Sequence, residues 1–369
     1  MSRVLRVEAR TVVVPLERPA RIARRLLDRR HYTVTRVHTE DGQIGLGFCL
    51  GGATATTAVR QLIAPRVIGA DVFETERIWD EIYYETILQG RRGAVLRALS
   101  TVDVALWDLK GKLLGVPVAK LLGLFRDPVP AYASGGYFFE DRDPVQEVEE
   151  EVAGWAEAGY TAMKLKVGGV PLEVDVARLA AFRRIAGDKP RLMLDANNAW
   201  RDWRSALRAI RRFEEFDIEW IEEPLPPDDV EGHRRLAELL DMAVATGEIE
   251  ATRWGFAHLL RERAVDVVQV DAAVAGGITE WRRIAATAAS FDVPVAPHWF
   301  ADLHVHCVAS APNGVWIEFF TDTRILNVMK LFRRSLEVRD GFAAVPPEPG
   351  LGIELNDAAI DRFGADGWA

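Results

Sequence analysis

The stretch RLMLDANNAWRDWRSALRAIRRFEEFDIEWIEEP, residues 191–224, decides how the chain folds. It opens on a short apolar run, RLMLDAN (191–197), and closes on another, IEWIEEP (218–224). Between them WRSALRAIRRFEEF (203–216) has the apolar spacing of an amphipathic helix. Short apolar runs bounded by polar turns suit buried strands, and parallel strands need a crossover of this length. The segment therefore reads as one β–α–β unit whose strands both end in carboxylates, Asp195 and the adjacent Glu222 and Glu223.

The unit recurs. Apolar runs VPAYAS (129–134) and TAMKLKV (161–167) precede it, and MAVATGE (242–248), DVVQVD (266–271), VPVAPH (293–298) and GVWIEF (314–319) follow. Eight such runs, most separated by helix-like segments such as PVQEVEEEVAGWAEAG, are the pattern of a (β/α)8 barrel. A doubly wound open sheet is the competitor, and the strand count favours the barrel. No GxGxxG or GxxxxGK[ST] follows any run, which removes the usual nucleotide-binding reading.

Ahead of the barrel the texture is α+β. Val4 to Leu16 and Tyr32 to Leu50 read as strands, the second bent at Asp41-Gly42, with the arginine-rich PARIARRLLDRRH (19–31) as a loop between them. Helical periodicity runs from about Thr56 to Gly123 and changes near Arg126-Asp127-Pro128. The expected division is 1–125 for a capping domain, 126–320 for the barrel and 321–369 for a C-terminal segment.

A formal net charge of −9 disfavours nucleic acid or an anionic membrane as partner, while leaving room for a locally cationic site. The N-terminal residues alternate rather than forming an apolar core, so they do not read as a signal peptide, and no run is long enough to span a bilayer. Cys49 and Cys307 show no metal or disulfide spacing. The expectation is a soluble cytoplasmic protein.

Chemistry collects at the strand ends. Asp195, Glu222 and Glu248 are spaced 27 and 26 residues apart, one βα unit each, which brings them side by side at the top of a parallel barrel. Singly, each acid serves as well as a helix cap. Three together repel unless a cation lies between them, and few hard oxygen ligands with open positions suit Mg²⁺. Periodicity alone does not choose between Glu222 and Glu223. Further round, Asp271, His298 and Glu318 end the last three runs, and Asp271 on the neighbouring strand can fix the His298 tautomer and raise its basicity.

Lys164 and Lys166 share a strand face in TAMKLKV. With Lys164 cationic, the Lys166 pKa is expected to fall, leaving it basic near neutral pH. A substrate carboxylate on Mg²⁺ would then present its α-carbon to Lys166 and His298, and Glu318, protonated or hydrogen-bonded, would donate to the developing charge.

These residues resemble the mandelate racemase subgroup of the enolase superfamily. The resemblance covers nearly the whole chain: K-x-K at Lys164 and Lys166, D-x-N at Asp195 and Asn197, I-E-E-P at Glu222, G-E at Glu248, V-D…GG at Asp271, P-H at His298 and the last-strand Glu318. ALWDLKGK (105–112) and PGLGIE (349–354) fit the family's cap and returning tail. The resemblance implies an α/β fold, a (β/α)8-type (modified TIM) barrel with an N-terminal α+β capping domain completed by a C-terminal segment. It implies Asp195, Glu222 and Glu248 as Mg²⁺ ligands, which chooses Glu222 over Glu223. It also implies Lys166 and the His298–Asp271 dyad as the acid/base pair, with Lys164 and Glu318 assisting the substrate carboxylate. No lysine lies between Asp266 and Gly277, where muconate cycloisomerases and dipeptide epimerases place a second catalytic one.

Within the subgroup, the implied activity is dehydration of a sugar acid, aldonate or aldarate, to a 2-keto-3-deoxy acid. The alternative is a racemase or epimerase of a 2-hydroxy acid using the same pair, and a binding barrel without turnover is a third reading that the complete residue set opposes. Family cap loops close over the barrel mouth, so Arg21, Arg24, Arg25, Arg29, Arg30 and His31 are candidate donors to hydroxyls or a distal carboxylate, solvent being the plain alternative for each. An arginine-rich loop disfavours a mandelate-like substrate. Asn197 and Trp299 are further substrate-binding candidates, each with a structural alternative; Trp200 shares that ambiguity, and His304 and His306 read as structural. The expected partner is a small-molecule carboxylate, and the family tendency is towards homo-oligomers.

Overall fold

Antiparallel pairing organises the start of the chain in this computed structural model, which describes residues 2–369. Strands β1 (Val4–Ile22), β2 (Arg25–Thr39) and β3 (Ile44–Cys49) form a three-stranded sheet in that order. The arginine-rich segment expected to be a loop is the far end of the β1–β2 ribbon, paired as far as Ile22 with Arg25. Proline hides it. Pro15 and Pro19 bracket a register break between Pro15 and Ala20, and without N–H donors they interrupt the alternation a strand reading needs. The ribbon resumes beyond the bulge and turns at Ala23, which takes φ +44°.

A helical run over residues 52–67 follows, then helices α1 (Thr75–Glu85) and α2 (Ala94–Leu114) and a short turn of helix at Val118–Leu122. α2 is buried along most of its length because the sheet covers one side and the barrel the other. Contact with β3 is close: a Cβ at Gly47 would lie 1.8 Å from the Thr101 carbonyl oxygen.

The barrel follows as β4 (Val129–Gly135), α3 (Pro144–Glu157), β5 (Ala162–Lys166), α4 (Leu172–Ala186), β6 (Arg191–Asp195), α5 (Trp203–Ile210) and β7 (Ile218–Glu222). It continues through α6 (Val230–Leu239), β8 (Ala243–Thr246), α7 (Thr252–Arg261), β9 (Val267–Val268), α8 (Gly277–Ala289), α9 (Ala301–Ser310) and β10 (Ile317–Phe320). Asp143, Asp202 and Asp229 cap their helices by accepting backbone N–H bonds. β10 pairs in parallel with β4 and closes the ring. The seventh position is thinner than VPVAPH suggests, a single bridge at Val295 to Val268 and Gly314, because Pro294 and Pro297 donate no ladder bonds.

Inside the barrel Tyr132, Ala162, Met193, Trp220, Ala245, Val267 and Ala296 pack as an apolar floor. The two-residue strand period then fixes what stands above it. Lys164 and Lys166 follow Ala162, Asp195 follows Met193, Glu222 follows Trp220, and His298 follows Ala296 on the same inward face.

The C-terminal segment first adds a hairpin, β11 (Val338–Arg339) and β12 (Phe342–Ala343), against the start of β4. It then runs to the cap, where α10 (Asp357–Phe363) places Asp361 on Arg10 and Gly364 bridges Val12. Between barrel and cap, Gly277 sits at φ +86° with Asp103 so near that a Cβ would come within 2.2 Å of its carboxylate. Among the described residues no helix is long and apolar enough to cross a membrane.

Candidate active site

The inward face of the strand ends carries two buried ion-pair clusters. Lys164 Nζ lies 2.8 and 2.6 Å from the Glu222 oxygens and 2.7 Å from Glu318. Lys166 Nζ lies 2.7 Å from Asp195 Oδ2. Asp195 and Glu222 are in-register partners on neighbouring strands, which is why Glu222 and not Glu223 shares the barrel interior. Gln269 Nε2 also donates to Glu222; standing two residues before Asp271, it shares the inward strand face.

Electrostatics corrects two expectations. Burial by itself pulls the Lys166 ammonium down, but the Asp195 carboxylate outweighs it and the pKa is raised, not lowered; Lys164 opposes this only weakly. Burial likewise works against the Lys164 charge, yet Glu222 and Glu318 hold its pKa well above the usual value. Glu318 differs from expectation too. Burial raises its pKa, Lys164 and His298 more than reverse this, and the carboxylate accepts from Ser134 Oγ at 2.7 Å and the Trp299 N–H at 2.8 Å. It is an ionised acceptor here and not a donor.

His298 Nδ1 lies 3.0 Å from Asp271 Oδ2, and its Nε2 lies 3.6 Å from Glu248. Burial alone would lower its pKa, but Glu248, Asp271 and Glu318 carry it up to about 9. Gly247 makes the Glu248 position possible: at φ +128° it turns the chain after β8 against the Phe256 ring, where a Cβ would sit at 2.6 Å.

A cavity of about 270 Å³ opens above these groups. Lys166, Asp195, Asn197, Glu248, His298 and Glu318 line its barrel side, with Trp299 beside them, and Arg25, Arg30, Leu50 and Arg97 line the cap side. Lys164 and Glu222 lie deeper and do not reach it. A larger hollow of about 510 Å³, around Pro128, Arg334 and Phe342, lies at the opposite end of β4 and gathers none of the strand-end groups.

Of the ribbon residues, Arg24 is exposed at the turn and His31 is exposed on the face opposite Arg30 and Tyr32, so neither of these two candidates lines the cavity. Arg25 donates to the Asn197 carbonyl at 2.9 Å and to Asn198 Oδ1 at 3.2 Å, and Arg21 donates to the Gly169 carbonyl at 3.0 Å. These bonds hold the ribbon over the ends of β5 and β6. Arg97 and Tyr137 also face the cavity, and nothing local in the sequence marks either.

Two histidines are structural. His304 Nδ1–H donates to the Trp299 carbonyl while Nε2 accepts the Ala272 N–H, and burial keeps its pKa low. His306 accepts from the Ala119 N–H and donates to the Leu351 carbonyl, with burial pushing its pKa down to about 4.

The donor set fits a hard divalent cation. Asp195, Glu222 and Glu248 supply oxygen ligands, and nearby Asn197 Oδ1, Glu223 Oε1 and Gln269 Oε1 are buried acceptors without a donor. Burial, with Glu248 and Asp195 adding to it, lifts the Glu223 pKa well above the carboxylate range, a sign of excess negative charge. The lysines draw Asp195 and Glu222 to themselves, and among the described residues no three acidic, histidine or cysteine side chains converge on one point.

Residues 6–123 match the family "Mandelate racemase / muconate lactonizing enzyme, N-terminal domain", and residues 147–359 match "Enolase C-terminal domain-like". The chain belongs to the mandelate racemase / muconate lactonizing enzyme family of the enolase superfamily. It is 35% identical over 339 residues to an arabinonate dehydratase of Saccharolobus solfataricus, covering 89% of each chain. It is 37% identical over 329 residues to an L-talarate/galactarate dehydratase of Salmonella typhimurium, covering 88% of this chain and 81% of that one. L-talarate dehydratase from Polaromonas sp. JS666, solved with Mg and L-glucarate, superimposes with a TM-score of 0.90 at 34% identity, over 100% of this chain and 99% of that one.

Proposed function

We propose that this family member is a Mg²⁺-dependent dehydratase of a sugar acid, a small-molecule carboxylate that leaves as a 2-keto-3-deoxy acid. The observation that carries the reading is that Lys166 and His298 face one cavity from different strands, with Asp195 and Glu248 between them. The two dehydratase relatives support the same reaction class.

Asp195, Glu222 and Glu248 would hold the metal. When bound, Mg²⁺ supplies positive charge beside the substrate carboxylate as negative charge develops there. Asp195, held in that role, would loosen its contact with Lys166, and the neighbouring Lys164 charge would then favour the neutral amine. Lys166 removes the α-proton. His298, held as an acid by Asp271, gives its Nε2 proton to the departing β-hydroxyl. Glu318 orients the neighbourhood by accepting the Trp299 N–H, and Asn197 donates to Asp195.

A racemase or epimerase would use the same pair, with His298 returning a proton to the α-carbon. What favours dehydration is kinship: the arabinonate and L-talarate/galactarate enzymes this chain resembles are both dehydratases. Proton NMR in D₂O with Mg²⁺ and a panel of aldonic and aldaric acids tests this. A 2-keto-3-deoxy product supports it; α-deuteration with inversion and no loss of water contradicts it.

A further inference from the structure

The cap side of the cavity holds positive charge that nothing in the chain answers. Arg30, on β2, is only 9% exposed, and its Nε is buried with no hydrogen-bond partner. Among the described residues it pairs with no carboxylate. Of the other arginines in the same sheet, Arg18, Arg29 and Arg36 pair with Glu147, Asp28 and Asp357, and Arg21 and Arg25 donate to the Gly169 and Asn197 carbonyls, whereas Arg30 makes no such bond. The Arg30 guanidinium lies 5.1 Å over the Trp299 ring, and the Trp299 indole Nε1 is a second buried donor without an acceptor. Arg97 lines the same cavity from α2, spends one N–H on the Leu50 carbonyl at 2.9 Å and also has no acidic partner.

Of the unpaired groups at and just beneath this cavity, the acceptors Asn197 Oδ1, Glu223 Oε1 and Gln269 Oε1 lie near the proposed cation ligands, while the donors Arg30 Nε and Trp299 Nε1 lie together where cap meets barrel; Arg21, Arg178 and Trp220 carry unpaired donors elsewhere. A buried guanidinium without a counter-charge is costly, and a planar carboxylate is the partner its fork of donors matches. A terminal hydroxyl accepts a bond but brings no charge. At about 270 Å³ the cavity is small enough for one short molecule to touch both ends.

We propose that Arg30, with Arg97 and the Trp299 indole N–H, receives a second carboxylate, so that the substrate is a diacid, an aldarate and not an aldonate. The inference rests on the sugar-acid reading of the site and narrows it.

The test compares aldarates with aldonates that differ only in lacking the far carboxylate, all with Mg²⁺. Turnover is followed in the wild type, and affinity is measured calorimetrically in His298→Asn. Expected is a diacid preference of about 10- to 100-fold, the effect of one charge-assisted pairing. Arg30→Gln should reduce that ratio to near unity, and Arg30→Lys should keep part of it. Equal or better handling of the aldonates, or a preference untouched by Arg30→Gln, overturns the proposal. If Arg30→Gln does not fold, the wild-type ratio and Arg97→Gln decide. Turnover of aldonates alone leaves the dehydratase standing and removes the diacid. Arg30-dependent diacid binding with no turnover of any acid keeps the receptor and removes the dehydratase.

Discussion

Asp271 Oδ2 receives His298 Nδ1 at 3.0 Å, while Asp271 Oδ1 accepts the Ala273 N–H at 2.7 Å and is thereby held in place. The carboxylate accepts the Nδ1 proton and so orients the ring, leaving Nε2, with the proton it gives up, as the nitrogen presented to the cavity. Asp271→Asn keeps the shape but removes the charge. It should lower kcat by roughly 10²–10⁴ with little change in melting temperature, since the ring loses both the contact that orients it and the charge that matches its acid strength to the task. A kcat within a few-fold of wild type would show that Asp271 does not orient His298.

Divalent cation should stabilise as well as activate. Added Mg²⁺ at about a hundred times its dissociation constant contributes roughly 2.7 kcal/mol by mass action, visible as a raised Tm. Glu248, at the rim, is the ligand whose change disturbs the buried lysine pairs least. Glu248→Gln should remove most of the Mg²⁺-dependent shift and leave the metal-free Tm near the wild-type value. A full shift in that variant would take Glu248 out of the ligand set.

The ribbon is clipped to the barrel through Arg25 and the backbone of Asn197. Arg25→Ala should raise KM several-fold, because a looser cap admits water and orders substrate less well, while the urea midpoint moves little for an exposed side chain. Steady-state kinetics beside an unfolding curve separates these outcomes. An unchanged KM would mean that the ribbon stays closed without the clip.

Asp103 lies at the junction of cap and barrel, accepting from the Thr279 N–H and hydroxyl. Burial raises its pKa from 3.8 to about 7, the Thr279 bonds and Lys110 opposing and Glu76 adding slightly. In the unfolded chain the group ionises near 3.8, so between the two values the folded state alone retains the proton. Its contribution to stability therefore declines as pH rises through that window and is fully lost above it. Asp103→Asn should be near neutral at pH 4 and stabilising by roughly 1–4 kcal/mol at pH 8. Urea titrations at both values check the sign; destabilisation at pH 8 would mean that the ionised form is the one the site is built for.

The barrel was legible because its strands are short, apolar and regularly punctuated, and because the side-chain period fixes what faces inward. Asp195 and His298 stand where that period puts them, whereas the choice of Glu222 over Glu223 needs the register of Glu222 with Asp195 across neighbouring strands. The cap ribbon was not legible, since prolines at a bulge disguise a strand and arginines look like loop. Which arginine turns inward follows from register with β1, a long-range pairing of Val14 with Arg30 that no local pattern encodes. Protonation states escaped for a related reason. In the sequence the nearest charge to Lys166 is Lys164, whereas in the folded barrel the Asp195 carboxylate on the next strand outweighs it.

The most direct test of the division of labour between Lys166 and His298 is α-proton exchange, read by NMR in D₂O with Mg²⁺ and the best substrate. His298→Asn should lose dehydration yet still wash the α-proton out into solvent, because Lys166 remains to remove it. Lys166→Ala should lose both dehydration and exchange while keeping its fold. Exchange that survives in Lys166→Ala and vanishes in His298→Asn would contradict the assignment and make His298 the base.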